Sequence, residues 1–127
     1  MSFDVFFQRF AAGGPSAADA GAVEAYLSQM IKEQSRYCTR IGTIDGEADV
    51  YGLDSLATGV MINHASGRAI WDVMFELARI GGYAIMPVGS GTCITEAVDP
   101  SDLPAEVPEP ITVVRSGRDL LDVVEGA

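Results

Sequence analysis

Basic residues are scarce in this chain of 127 residues. Eight lysines and arginines stand against 18 aspartates and glutamates, which gives a formal net charge of −10 at pH 7. Nucleic-acid binding needs a cationic surface, and an anionic membrane repels a protein of this charge. The composition therefore argues against nucleic acid and membrane partners. It favours encounter with a basic protein, although acidity also serves solubility alone.

Cysteine and histidine are equally scarce. The two cysteines, Cys38 and Cys93, are too few for a disulfide scaffold and lack CxxC spacing. The single histidine, His64, cannot supply a metal site with two imidazoles. The sequence shows no leader pattern and no apolar run near the ~20 residues of a membrane span. We therefore expect a cytoplasmic protein without a metal or cofactor. The sixteen alanines and the ratio of seven arginines to one lysine indicate a bacterial source.

The hydropathy pattern predicts a single α+β domain over residues 1–127. Strand patterns cover residues 3–10, 37–44, 47–53, 58–63, 83–88, 92–95 and 111–114. Helical patterns run from Ser16 to about Lys32, over 66–80 and over 117–125. Asp45–Gly46 is a strong hairpin signal. We expect a mixed, mostly antiparallel sheet of five to seven strands, with two main helices on one face and a short C-terminal helix, similar to a ferredoxin-like core with additions.

The helix over 66–80 is apolar around almost its whole circumference. Only a narrow stripe is charged, formed by Arg68, Asp72, Glu76 and Arg79. Such a helix is either sandwiched inside the fold or docked in a dimer interface. Ser66 is the expected N-cap residue.

A candidate pocket is expected where the fourth strand meets this helix, because α/β folds often bind ligands at such junctions. Its residues are His64, Asn63, Ser66, Arg68, Ser90 and Cys93. His64 could be a structural latch or a functional group, and Cys93 could be a buried thiol or a nucleophile paired with His64. The Ser-Gly-Arg helix starts could bind an anion or simply be capped. Gly89–Gly91 fits a tight turn better than a phosphate loop.

Four carboxylates cluster around the predicted hairpin. They are Asp45, Glu47, Asp49 and Asp54. Carboxylates at this density can hold a hard cation, but the spacing does not match an EF-hand loop. A solvated hairpin face is the simpler interpretation, and the same face could bind a basic partner.

Three segments, at residues 3–10, 46–52 and 62–67, resemble a group of small uncharacterised bacterial proteins. That group has no assigned activity, so the resemblance implies no functional residue. In size and acidity the chain is similar to immunity proteins that are paired with secreted toxins.

Three functions stay open at this point. The leading hypothesis is a non-catalytic acidic binding protein, in its specific form an immunity-type inhibitor of a basic partner. The alternative is a small-molecule-binding domain that acts as a homodimer. The third is a cysteine-dependent enzyme that uses Cys93.

Overall fold

A mostly antiparallel sheet with helices packed against it makes up the chain. The computed structural model describes residues 3–53 and 59–126. Its elements are β1 (Val5–Ala11), β2 (Gly14–Ser16), α1 (Ala20–Ser28), β3 (Ile31–Gln34), β4 (Thr39–Gly42), β5 (Glu47–Tyr51), β6 (Val60–Asn63), α2 (Ala69–Gly81), β7 (Ala84–Pro87), β8 (Thr92–Ile94), a 3-10 turn (Pro100–Asp102), β9 (Ile111–Val113) and α3 (Gly117–Gly126). The predicted α+β class is confirmed.

The strands follow the order β3-β4-β5-β6-β1-β7-β8-β9, and β2 pairs with the far end of β1. All neighbours are antiparallel except β8 and β9, which are parallel. β6 and β7 flank β1, run in the same direction and are connected by α2. The sheet has nine strands among the described residues, more than the expected five to seven, because the sequence patterns did not predict β2 and β3. The ferredoxin-like comparison stays a prediction.

The predicted first helix was too long at both ends. Asp19, and not Ser16, caps α1, because its carboxylate accepts the Ala22 N–H at 3.1 Å. The helical stripe continues to Ile31 in sequence, but the helix ends at Ser28. The residues that follow form β3, where Ile31 pairs with Ile41 of β4. Tertiary pairing at the sheet edge has thus overridden a local helical pattern.

The helices and one face of the sheet enclose a single hydrophobic core. α2 contacts both α1 and α3, so the sandwiched interpretation of this helix is confirmed. Ile70, Met74 and Leu77 are fully buried. The charged stripe stays outermost, and within it Arg79 donates to Glu76 at 2.7 Å. None of the described helices is long and apolar enough to cross a membrane.

The proline-rich segment over residues 96–110 is held to the rest of the fold by several hydrogen bonds. The Asp102 carbonyl accepts the Gly13 N–H at 3.0 Å, and its carboxylate accepts the Ala12 N–H at 3.1 Å. The Pro108 carbonyl accepts the hydroxyl of buried Thr92 at 2.7 Å. The segment therefore links the β1–β2 turn to β8 and partly covers the sheet on the side away from the helices.

Candidate functional site

The start of α2 is capped from outside the helix. Asp45, in the β4–β5 turn, accepts the N–H of Arg68 at 2.8 Å and that of Ala69 at 3.2 Å. Thr43 donates its hydroxyl to the same carboxylate at 3.2 Å. The hydrogen bond from Arg68 is the largest cause that lowers the pKa of Asp45. A hairpin carboxylate thus satisfies the first amide groups of α2, which a helix cannot satisfy itself.

Ser66 is not the N-cap that the sequence predicted. Its N–H donates to the Glu47 carbonyl at 2.9 Å, and its hydroxyl accepts the Glu47 N–H at 3.1 Å. Arg68 is the N-cap residue, but its side chain makes no capping hydrogen bond. Ser66 extends the pairing between the hairpin and the segment before α2. Asp45 performs the capping from across that contact.

Neither Ser-Gly-Arg helix start is open to an external anion. At α2 the Asp45 carboxylate occupies the position that an anion would take. At α3 the hydroxyl of Ser116 accepts the Asp119 N–H at 3.1 Å, and Asp119 accepts the Arg115 N–H at 2.9 Å. Capping by the chain's own groups therefore explains both helix starts.

Asp49 on β5 contacts a side chain on each neighbouring strand segment. They are Arg40 on β4 and His64, which directly follows β6. Asp49 is only 6% exposed, accepts the Arg40 Nε–H at 3.0 Å, and lies 3.1 Å from His64 Nδ1. Burial opposes its charge, but the hydrogen bonds from Arg40 and His64 outweigh burial and lower the pKa of Asp49. His64 has a left-handed backbone with φ of 52°. The contact with Asp49 joins the residue that follows β6 to β5.

The described carboxylates of the predicted acidic face are all engaged in internal contacts. Asp45 caps α2, Asp49 binds Arg40 and His64, and Glu47 lies 3.1 Å from Arg40 Nε and 3.9 Å from Lys32 Nζ. Asp54 lies outside the described residues. Within residues 3–53 and 59–126, no group of three His, Cys, Asp or Glu side chains could hold a metal ion. The three described hairpin carboxylates therefore stabilise the fold through internal contacts.

The predicted pocket residues do not converge on one place. Four of them lie between the end of β6 and the start of α2, namely Asn63, His64, Ser66 and Arg68. Cys93 lies on β8. β1 and β7 separate these strands, so Cys93 is three strand spacings from β6, or ~14 Å. Ser90 closes a tight turn after β7 by donating its N–H to the Pro87 carbonyl. The proposed pairing of Cys93 with His64 is therefore wrong.

Cys93 is a core residue. Its side chain is fully buried in the main hydrophobic cluster, and burial raises its pKa to about 11. A thiol acts as a nucleophile only as the thiolate. The environment of Cys93 therefore opposes the chemistry that a cysteine-dependent enzyme needs.

We expect native Cys93 to react with iodoacetamide at neutral pH at least ~100-fold more slowly than a free thiol, because its thiolate population is that much smaller. A Cys38→Ser variant isolates the signal, and mass spectrometry measures the alkylated fraction over time. The same variant unfolded in urea provides the control and should react at the free-thiol rate. Rapid labelling of the folded variant would contradict the assignment of Cys93 to the core.

The sheet face opposite the helices carries a continuous row of apolar side chains. Tyr51 pairs with Met61, Met61 pairs with Phe6, and Phe6 pairs with Met86, so the four residues cross β5, β6, β1 and β7 side by side. We call them the apolar row. Phe6 is 45% exposed, although its neighbours Val5 and Phe7 are buried against the helices. Phe6 therefore lies on the open face of the central strand β1, and the other three residues of the row are half-buried.

A row of polar side chains lies next to the apolar row. It consists of Arg40, Asp49, Asn63 and Asp4, and we call it the polar row. Arg40 pairs with Asp49 and Asp49 with Asn63, whose side-chain amide donates to Asp4 at 3.3 Å. The Asp4 side is exposed to solvent. Apolar contact area and a carboxylate thus lie next to each other on one open surface.

The apolar row forms the floor of a groove of about 690 Å³. Val88, which is 60% exposed, and Pro108 of the proline-rich segment line it as well. No charged residue is among the described residues that line this groove. Alternation along residues 3–10 places Phe6 opposite Val5 and Phe7, whereas aromatic residues on both sides predict a strand that is largely covered on both faces. The exposure of Phe6 shows that the second face is not fully covered.

No family model, no curated protein and no solved structure matches this chain.

Proposed function

We propose that this chain is a non-catalytic binding protein that holds a basic protein partner on the open face of its sheet. The observation that carries the proposal is the partly exposed apolar row, with Phe6 45% exposed, beside a carboxylate in a chain of net charge −10. Exposed apolar patches in globular proteins mark interaction sites. The methionines of the row can adapt to the shape of a partner.

The partner that fits this face carries an apolar anchor flanked by arginine or lysine. The anchor would fill the groove over Phe6 and Met86, where no charge must be desolvated. The flanking cations would meet Asp4 and the negative field of the whole chain, which speeds encounter. Contact at a few central apolar residues would supply most of the affinity.

An immunity-type inhibitor of a basic toxin is the specific form of this proposal. Its supports are the size and acidity of the chain and the resemblance of three segments to small bacterial proteins of unassigned activity. A cytoplasmic location in a bacterium is part of the same proposal, because an inhibitor of this type protects the cell that makes its toxin.

We expect Phe6→Ser and Met86→Ser each to weaken partner binding by ~10-fold or more, because truncating a central apolar contact removes most of its contribution. The wild-type chain is immobilised, proteins captured from the native lysate at low salt are identified, and the dissociation constant of each purified candidate is measured. Raising the salt from about 0.05 to 0.5 M should also weaken binding, since the attraction of charges is screened.

Ile44→Ser is the matched control, because Ile44 is 98% exposed at the hairpin tip and lies outside the groove. It should bind the partner as the wild type does, and all variants should keep the wild-type melting temperature. Captured partners that are acidic, or that bind the Phe6→Ser variant unchanged, would refute the proposal.

A second candidate function is the binding of an apolar small molecule in the same groove. Its volume lies within the range of known ligand sites, roughly 300–1,000 Å³. A thermal shift produced by one metabolite class, present in the wild type and absent from Phe6→Ser, would favour this function over protein binding.

A further inference from the structure

The two edges of the sheet differ in how well they are protected against the addition of another strand. All residues of β3 are exposed, they include Lys32 and Glu33, and a register shift interrupts the pairing with β4. Charges and irregularities of this kind discourage a second strand from adding to an edge. β9, at the other edge, has no charged residue and pairs regularly with β8. Its Ile111 and Val113 are 44% and 53% exposed.

The free side of β9 presents backbone groups that can bind another strand. The Pro110 carbonyl and the Val114 N–H both bond to β8, at 3.0 Å and 2.9 Å. Backbone groups alternate in direction along a strand, so the N–H and C=O groups of Ile111 and Val113 point away from β8. These groups belong to the terminal strand of the sheet.

Two opposite charges flank β9 symmetrically. Glu109 precedes Thr112 by the same number of residues by which Arg115 follows it. Both are exposed, and neither side chain forms an ion pair within residues 3–53 and 59–126. In an antiparallel pair of identical strands centred on Thr112, the glutamate of each copy would therefore lie at the same end of the pair as the arginine of the other copy.

We propose that β9 pairs with β9 of a second copy of this chain, antiparallel and with the two-fold axis at Thr112. Ile111 of each copy then faces Val113 of the other, and the two residues exchange their outward N–H and C=O groups. The apolar side chains pack across the new ladder, and the opposite charges of Glu109 and Arg115 lie near each other at both ends. Such an interface is self-complementary, as a two-fold dimer requires.

The dimer is independent of the proposed binding of a basic partner. The apolar row lies on β5, β6, β1 and β7, away from β9. Pairing at β9 joins the two sheets edge to edge and leaves both apolar rows open. A failure of one proposal therefore leaves the other untouched.

The test is sedimentation velocity over a concentration series from low to several hundred micromolar. It is run at about 0.15 M salt, where repulsion between the two acidic chains is screened beyond ~8 Å. The wild type should show a monomer–dimer equilibrium. Val113→Pro should be monomeric throughout, because proline removes an outward N–H while the bonds to β8 remain. Its melting temperature, measured at a concentration where the wild type is monomeric, should equal that of the wild type.

The charge pair is tested by reversal. Glu109→Arg and Arg115→Glu should each weaken the dimer ~10-fold, because like charges then lie near each other. The double variant should recover the wild-type constant to within ~3-fold, since the swapped pair again attracts. Glu33→Arg on β3 is the control and should leave the dimer unchanged. A wild type that is monomeric over the whole series, a dimer that survives Val113→Pro, or a double variant that fails to recover would each overturn the proposal.

Discussion

Gly117→Ala is expected to destabilise the protein by about 3 kcal/mol, because overpacking a close contact between two helices forces the backbone to move. A Cβ at Gly117 would lie 2.6 Å from the carbonyl carbon of Trp71 and 2.5 Å from the Asp72 nitrogen, and it would also collide with the Asp72 carboxylate. The first turn of α3 thus packs directly on the backbone of α2. Thermal unfolding followed by circular dichroism should show a melting temperature lower by roughly 10 °C.

Gly126→Ala is the matched control within the same helix. A Cβ at Gly126 would meet nothing within 4 Å. Alanine also raises helix propensity by ~1 kcal/mol in a helix interior, so the control should be neutral or slightly stabilising at this helix end. Equal melting temperatures for the two variants would contradict the close packing of α3 on α2.

Gly46→Ala is expected to cost a similar ~3 kcal/mol, for a reason located at the hairpin. A Cβ at Gly46 would collide with the Ser66 carbonyl oxygen and lie 2.5 Å from the Ser66 carbonyl carbon. Relieving this clash moves the turn away from α2 and withdraws the Asp45 carboxylate from the helix start. Chemical denaturation should therefore show a lower midpoint for Gly46→Ala and, in the same direction, for Asp45→Ala.

Gly14→Ala provides the comparison for this second prediction. Gly14 has no positive φ, and a Cβ there would meet nothing within 4 Å, so only the crowding at Ser66 distinguishes the two substitutions. Gly14→Ala should unfold at the wild-type midpoint. If Gly46→Ala did so as well, the hairpin would not clamp the start of α2.

The sequence predicted features that arise from local patterns. Asp45–Gly46 does turn the chain between β4 and β5, and the Thr43 N–H donates to the Gly46 carbonyl at 2.8 Å. The burial of α2 also followed from its own residues, since apolar side chains surround the helix. In each case the residues of one segment carry enough information to define its structure.

The features that the sequence did not predict depend on distant neighbours. The local capping rule selects Ser66, but a carboxylate 23 residues away from Arg68 caps α2. The helical stripe to Ile31 gives no sign of the β4 strand that takes this residue into the sheet. Alternation along residues 3–10 assigns Phe6 to the face opposite Val5 and Phe7, but whether another segment covers that face depends on residues outside this strand.

The contact between Asp45 and the start of α2 also determines how the fold can open. If the hairpin separates from the sheet, the N–H groups of Arg68 and Ala69 lose their acceptor in the same event. Fraying of the first turn of α2 likewise leaves the hairpin without its partner. The hairpin and the helix start therefore form one cooperative unit, in which local unfolding of either segment includes the other.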